Sequence, residues 1–214
     1  NLQFMKVKFN KYWRKTSLKK RKDGDFLLNH ILRVKPKNFL EIGVFHGVTS
    51  RNVCEVLHYL NGDKFQFTGI DMFSVDDNIL NDEYAPKTTF SNPLKTIYYN
   101  YIIRSDPYSL KSVNKLLNKF KKNVNLIKGN SNEVLKNINL KEVDYVFLDG
   151  GHKYETVKSD LKNLSLIIDN GGVVICDDYN LTYAPGVKKA IDEFVLLNNF
   201  NLKILNLRFA EITK

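Results

Sequence analysis

Four short apolar runs, each closing on an acidic or glycine residue, constrain this chain more than anything else in it. They are Phe39-Leu40-Glu41-Ile42-Gly43, Phe67-Thr68-Gly69-Ile70-Asp71, Val143 to Asp149 and Val173 to Asp178. Segments with helical spacing of apolar residues fall between and after them, at about 48–60, 109–120, 154–168 and 186–198. Strands and helices in alternation predict an α/β chain with a doubly wound, mostly parallel sheet and helices on both faces. Ligands of such sheets bind beyond the carboxyl ends of the strands, and all the acids just named lie at that edge.

The first run continues as Val44-Phe45-His46-Gly47-Val48-Thr49-Ser50, which reads as strand, tight turn and helix. Gly43 and Gly47 suit a backbone that turns sharply or lets a ligand approach, and the helix behind them presents free N–H groups to an anion. The second strand, 65–71, ends in Asp71. A strand–helix–strand unit with an acid at the second tip is the layout that holds a nucleoside, because the carboxylate accepts both ribose hydroxyl protons.

Outside this alternation, Asp25 is expected to cap a short helix from Phe26 to Arg33 that Pro36 ends. Residues 72–108 break the pattern, with Pro86, Pro93 and Pro107 among Tyr84, Phe90, Tyr98, Tyr99, Tyr101 and Tyr108. An irregular stretch this long serves as a lid or binding wall, so it is read as a substrate-facing insertion with a helix at about 94–103. Further on come a strand at 124–128, the turn Gly129-Asn130-Ser131, a short helix to Lys136, and a strand at 202–207. Cys54 and Cys176 sit in apolar patterns and read as small buried hydrophobes, not a disulfide or metal pair.

The formal charge of +10 raises the question of a nucleic-acid or membrane-surface partner. Residues 1–37 hold twelve Lys and Arg against Asp23 and Asp25, a net of +10, which leaves 21 basic and 21 acidic residues in 38–214. The body is neutral, and the excess lies in a basic arm over 1–24, ahead of a single domain over 25–214. The arm interleaves Phe9, Tyr12 and Trp13 with lysines and suits phosphates or acidic headgroups. The expectation for a charged terminal segment is nevertheless that it is solvated or loosely docked. Asn1 to Phe4, ahead of Met5, read as a cloning remnant. No run of about 18 apolar residues occurs, so no membrane span is expected, and a cytoplasmic location is the default.

Helix N-capping accounts for one or two of the strand-end acids. It does not account well for Asp177-Asp178, two adjacent carboxylates that repel unless a cation or hydrogen-bond donors lie between them. Three oxygen ligands from two neighbouring strand ends, Asp149, Asp177 and Asp178, suit Mg²⁺.

Taken together, Leu40 to Ser50, Gly69-Ile70-Asp71, Phe147-Leu148-Asp149-Gly150-Gly151-His152-Lys153-Tyr154, Gly171 to Tyr179 and Gly186 to Ile191 resemble the class I S-adenosylmethionine-dependent methyltransferases. Within these the chain is similar to the small O-methyltransferase group that includes macrocin-type sugar methyltransferases and, more distantly, catechol methyltransferase. The resemblance implies a Rossmann-like sheet of about seven strands. It places Glu41 and Gly43, with Gly47 in the same turn, against the methionine part of the cofactor and Thr49 on its carboxylate. Asp71 takes the ribose, Met72 lies beside the adenine, and Asn130 and Ser131 reach the adenine edge. Many relatives carry Asp at the place of Asn130, a mild change, since an amide both donates and accepts. Asp149 is counted with the cofactor-facing residues and, with Asp177 and Asp178, as a Mg²⁺ ligand. The base is expected to be His152, because the position where sugar methyltransferases often keep an Asp is Gly151 here.

Other readings fit less well. A nicotinamide dehydrogenase needs G-x-G-x-x-G at the first turn and has no use for Asp177-Asp178. A nucleic-acid amino-methyltransferase should show a D/N-P-P-Y/F-type motif where this chain has Asp149-Gly150-Gly151-His152, which makes nucleic acid an unlikely partner. A cofactor-binding scaffold without catalysis is the alternative from a different class. The expected acceptor is a hydroxyl of a small molecule or sugar, and the arm and aromatic insertion are suited to forming a homodimer.

Overall fold

The computed structural model describes residues 7–73 and 90–214. Tyr84 and Pro86 of the expected insertion lie outside the described residues. The elements run α1 (Arg21–Val34), β1 (Asn38–Ile42), α2 (Val48–Asn61), β2 (Gln66–Asp71) and α3 (Pro93–Ile97), which continues as a π-helical stretch over Tyr98–Ile103. Then come α4 (Leu110–Leu116), β3 (Val124–Lys128), α5 (Ser131–Val134), β4 (Tyr145–Leu148), α6 (Tyr154–Asp169), β5 (Val173–Cys176), α7 (Pro185–Asn198), β6 (Asn201–Leu205) and β7 (Phe209–Thr213).

The seven strands form one sheet in the order β3-β2-β1-β4-β5-β7-β6. Neighbours pair in parallel from β3 through β5, and β7 runs antiparallel to both β5 and β6. The chain order reverses between β1 and β4, which is where such sheets open a crevice. Register then aligns the strand ends. Leu148 lies opposite Ile42 on one side and Cys176 on the other, so the next residues, Gly43, Asp149 and Asp177, come out level. Their amides are tied to the neighbouring strands, Gly43 to Ile70, Asp149 to Ile42 and Asp177 to Leu148, at 2.8–2.9 Å.

Side chains alternate across each strand and divide the core in two. Leu40, Ile42, Val146, Leu148, Val174 and Cys176 face α6 and α7, whereas Phe39, Phe67, Tyr145, Phe147 and Ile175 face α1 and α2. Cys54 and Cys176 are free and buried, as expected. No helix of the described residues is long and apolar enough to cross a membrane.

Three local expectations need correction. Helix α1 begins at Arg21, and Asp25 is not its cap; its Oδ1 accepts the Phe9 amide at 2.6 Å. The basic arm is docked, not loose, over 7–18: Val7, Phe9 and Leu18 are buried in the core beside α1 and α2, while Lys8 and Lys11 between them stay exposed. The strand expected at 202–207 is a hairpin of β6 and β7. Two of its turn residues, Asn206 and Leu207, have positive φ (51° and 56°), the conformation of a tight hairpin turn, without the glycine that usually signals one.

Candidate active site

Asp149, Asp177 and Asp178 meet at the ends of β4 and β5, each offering an oxygen within 4.8 Å of the others. Each also has protein partners. Arg208, the last residue of the β6–β7 turn, donates from Nε to Asp177 Oδ1 at 2.5 Å and from Nη2 to Asp177 Oδ2 at 2.7 Å, and Nη2 lies 3.0 Å from Asp178 Oδ1. Ser17 of the arm donates to Asp149 Oδ2, and Arg208 Nη2 reaches the Ser17 carbonyl at 3.4 Å. His152 Nε2 lies 2.9 Å from Asp178 Oδ2. The repulsion between Asp177 and Asp178 is thus relieved by a guanidinium, which is the donor alternative to a metal ion.

The charge is still not balanced. Fully ionised, the three carboxylates and the Arg208 guanidinium carry −2, buried Asp23 adds a further acid 3.7 Å from Arg208 Nη1, and the donor set of the cluster is all oxygen. Burial, followed by the charges of Asp177 and Asp178, pushes the Asp149 carboxyl well above its ordinary value. A group in that state takes up either a proton or a cation. An all-oxygen set of this kind suits Mg²⁺, which Asp149, Asp177 and Asp178 would hold.

The residues expected to meet the cofactor cluster around β1, α2 and β2. Glu41 is fully buried, donated to by Ser50 Oγ at Oε2, while Oε1 has no hydrogen-bond partner. Burial pushes its pKa up to about 8, with Asp71 adding to the shift and Ser50 opposing it. An orphaned buried carboxyl oxygen suits a cationic ligand. Helix α2 starts at Gly47 in the left-handed region (φ 73°) with no side-chain cap, so the first-turn amides around Thr49 are available to an anion. The glycines serve packing first: a Cβ on Gly43 would lie 2.0 Å from the Asp149 carbonyl oxygen, and one on Gly47 2.7 Å from Val113.

Asp71 is held firmly. Its Oδ2 accepts the Phe45 amide at 2.7 Å, and Oδ1 accepts the Phe73 amide at 2.9 Å and the Tyr108 hydroxyl at 2.8 Å. Met72, half-buried, follows directly. Asn130 caps α5 by accepting the Asn132 amide at 3.0 Å, and the Ser131 hydroxyl bonds Asp160, so both residues expected at the adenine edge have structural duties.

Three residues in and around this site were not singled out from sequence, Arg14, Ser17 and Arg208; His46 stands in the turn quoted after the first strand and Tyr108 among the aromatics of the substrate-facing insertion, neither with an assigned role. Arg14 is buried and donates to the carbonyls of His46, Pro107 and Ser112 at 3.0–3.1 Å, pinning the arm across the turn after β1. His46 accepts the Lys15 amide at Nδ1, and burial followed by Arg14 and Lys15 lowers its pKa to about 3, so it stays neutral. A surface cleft of about 500 Å³ opens just beyond Asp178, between Tyr179, Leu181, Pro185, Lys188 and Asp192.

A parallel sheet with an acid at the tip of β2, an uncapped helix after β1 and an acidic cluster at β4 and β5 is the layout of a doubly wound, cofactor-binding fold. Residues 40–179 match the profile of the family described as "Methyltransferase domain". The chain belongs to that family and is an S-adenosylmethionine-dependent methyltransferase. No curated protein matches it in sequence. Among solved structures, the SAH-bound methyltransferase PaMTH1 of Podospora anserina superposes with a TM-score of 0.60 at 17% identity, over 92% of this chain and 79% of that one. The TDP-rhamnose 3'-O-methyltransferase CalS11 of calicheamicin biosynthesis gives 0.60 at 16%, over 92% and 81%. The O-methyltransferase TomG of Streptomyces achromogenes, solved with SAM, gives 0.55 at 12%, over 91% and 81%. At these identities the likeness is one of fold.

Proposed function

We propose that the chain is an O-methyltransferase that moves the methyl group of S-adenosylmethionine to a hydroxyl of a small molecule or sugar, with Mg²⁺ assisting. The observation that carries this reading is the meeting of Asp149, Asp177 and Asp178 within 4.8 Å at the ends of β4 and β5, in the sheet whose strand β1 carries the orphaned Glu41 oxygen. Solved neighbours named as O-methyltransferases share the fold that positions it. When bound, S-adenosylmethionine supplies an electrophilic methyl group and Mg²⁺ supplies a Lewis acid that lowers the pKa of an acceptor hydroxyl. The chain's own residues do the rest. Glu41 and the first turn of α2 bind the zwitterionic end of the cofactor, and Asp71 orients the ribose. Asp149, Asp177 and Asp178 hold the metal, Arg208 fixes the rotamer of Asp177, and His152, oriented by Asp178, accepts the acceptor's proton.

One observation favours a second reading, a cofactor-binding protein without transfer activity. Asp71, Asp149, Asp177 and Asp178 all have protein partners in Tyr108, Ser17, Arg208 and His152. Calorimetric titration of metal-stripped protein with S-adenosylmethionine, with and without Mg²⁺ and with Asp177→Ala, separates the two. Cofactor binding together with Mg²⁺ binding that Asp177→Ala abolishes supports the transferase; cofactor binding with no metal response removes Mg²⁺ from it. No transfer to any hydroxylated acceptor, despite both ligands binding, supports the second reading.

A further inference from the structure

We propose that the face built from the N-terminal arm and the helix after residue 92 is a docking surface for an anionic lipid bilayer. This goes beyond the methyl-transfer reading and does not depend on it. The helical segment 93–103 leaves Leu94, Ile97, Tyr101 and Ile102 at 65%, 51%, 72% and 68% exposure, and Trp13 of the arm at 58%. Single exposed apolar residues are ordinary, but a contiguous set marks an interaction surface. These are contiguous. Leu94 and Ile97 are three residues apart on α3, and the π-helical stretch that follows, with its i to i+5 bonding, carries Ile102 round to the side of Ile97. Trp13 joins them through Tyr98, ring edge to ring face at 5.7 Å. The opposite side of the segment is anchored: Tyr99 is buried and stacked on Phe90 at 5.0 Å. One face is fixed to the body and the other is left bare.

Among the described residues, the two segments that build this face carry charge of one sign, with Asp23 and Asp25 just beyond the first and Asp106 just beyond the second. Residues 7–22 contribute Lys8, Lys11, Arg14, Lys15, Lys19, Lys20, Arg21 and Lys22, and residues 90–105 contribute Lys95 and Arg104, ten basic residues with no acid in either segment. Only Arg14 of these is buried. Lys15 and Lys95 lie over the Phe90 ring at 5.8 and 5.7 Å, on the anchored side of the segment, which sets two cations beside the apolar face. Asp76, Asp77, Asp82 and Glu83 lie outside the described residues. Lysines around protruding Trp, Leu, Ile and Tyr match the layering of a bilayer surface, with anionic headgroups outside and acyl chains within reach of the apolar tips. A nucleic acid would answer the charge but would leave the bare Leu and Ile side chains in water. The surface borders the candidate site, since Ser17, four residues beyond Trp13, bonds Asp149.

The test is co-sedimentation of the full chain with vesicles of phosphatidylcholine alone and of phosphatidylcholine with about one-third phosphatidylglycerol. The expected result is binding to the anionic vesicles only, released by about 0.5 M salt. Joint substitution of Leu94→Asn, Ile97→Asn and Ile102→Asn should lower the partition coefficient about tenfold or more, as should joint Lys19→Glu, Lys20→Glu and Lys22→Glu. All three apolar positions are partly or largely exposed, so the variants are expected to keep the wild-type circular dichroism spectrum and melting curve. Binding to neither vesicle, equal binding to both, or wild-type binding by the apolar variant overturns the proposal. So does tight binding to a single-stranded oligonucleotide without vesicle binding, or wild-type self-association that the apolar variant abolishes.

Discussion

Arg208 holds Asp177 through both carboxylate oxygens, Nε to Oδ1 at 2.5 Å and Nη2 to Oδ2 at 2.7 Å, in a fork-to-fork pair. Asp177 is almost fully buried and Arg208 only one-fifth exposed, so water does little to screen them. Removing one member of such a pair strands the other's charge. Arg208→Ala should therefore cost about 3 kcal/mol in urea unfolding, with Arg208→Lys intermediate because lysine cannot reproduce the fork. A loss below about 0.5 kcal/mol, the range of an ordinary surface change, would show that the pair does not organise the acid cluster.

Glu41 gives the fold a pH dependence with a definite sign. Its folded pKa is raised from the ordinary 4.5 to about 8. The folded protein keeps a proton that the unfolded chain has already released, so the contribution of this carboxyl is fully present below about 4.5 and is lost as pH rises to about 8. Glu41→Gln removes that dependence. Its stability relative to wild type should rise between pH 5 and pH 8 by a few kcal/mol, read from urea midpoints at each pH. Parallel profiles for the two proteins would sink this.

The same carboxyl should couple to ligand. A cationic cofactor beside Oε1 favours the ionised form, so binding should release a proton and strengthen with pH up to about 8. Calorimetry in two buffers of different ionisation enthalpy counts that proton directly. In Glu41→Gln the count should fall by about one.

Tyr108 donates to Asp71 Oδ1 at 2.8 Å and, on the proposed reading, competes for the carboxylate that would take the ribose. Tyr108→Phe deletes the competitor and keeps the ring against Phe45. The expected result is about fivefold tighter cofactor binding, with about 1 kcal/mol lost from the ligand-free fold. Weaker binding would mean that the hydroxyl is itself part of the cofactor site.

His152→Ala should lower turnover about a hundredfold or more while changing cofactor affinity less than about threefold, the pattern of a residue used only in the chemical step. Turnover within a few-fold of wild type would leave His152 as a hydrogen-bonding partner of Asp178 alone.

What could be read from the sequence was local. The alternation of period-two and helical patterns sets β1 to β5 and the helices between them, and the side-chain period of a strand puts Glu41, Asp71, Asp149 and Asp177 at or near the same edge whatever surrounds them. Strand β7 escaped notice because Asn206 and Leu207 turn the chain with positive φ and no glycine, so β6 and the turn read as one strand. With β7 went Arg208. Which groups face the acids depended on folding: Ser17 meets Asp149 across 132 residues of chain, Arg208 meets Asp177 across 31 and Tyr108 meets Asp71 across 37. Those pairings arise from the docking of the arm, the return of the last hairpin and the seating of α4. A strand's own pattern dictates which way its side chains point, but the partner each one finds is decided by the packing of elements far away in the chain.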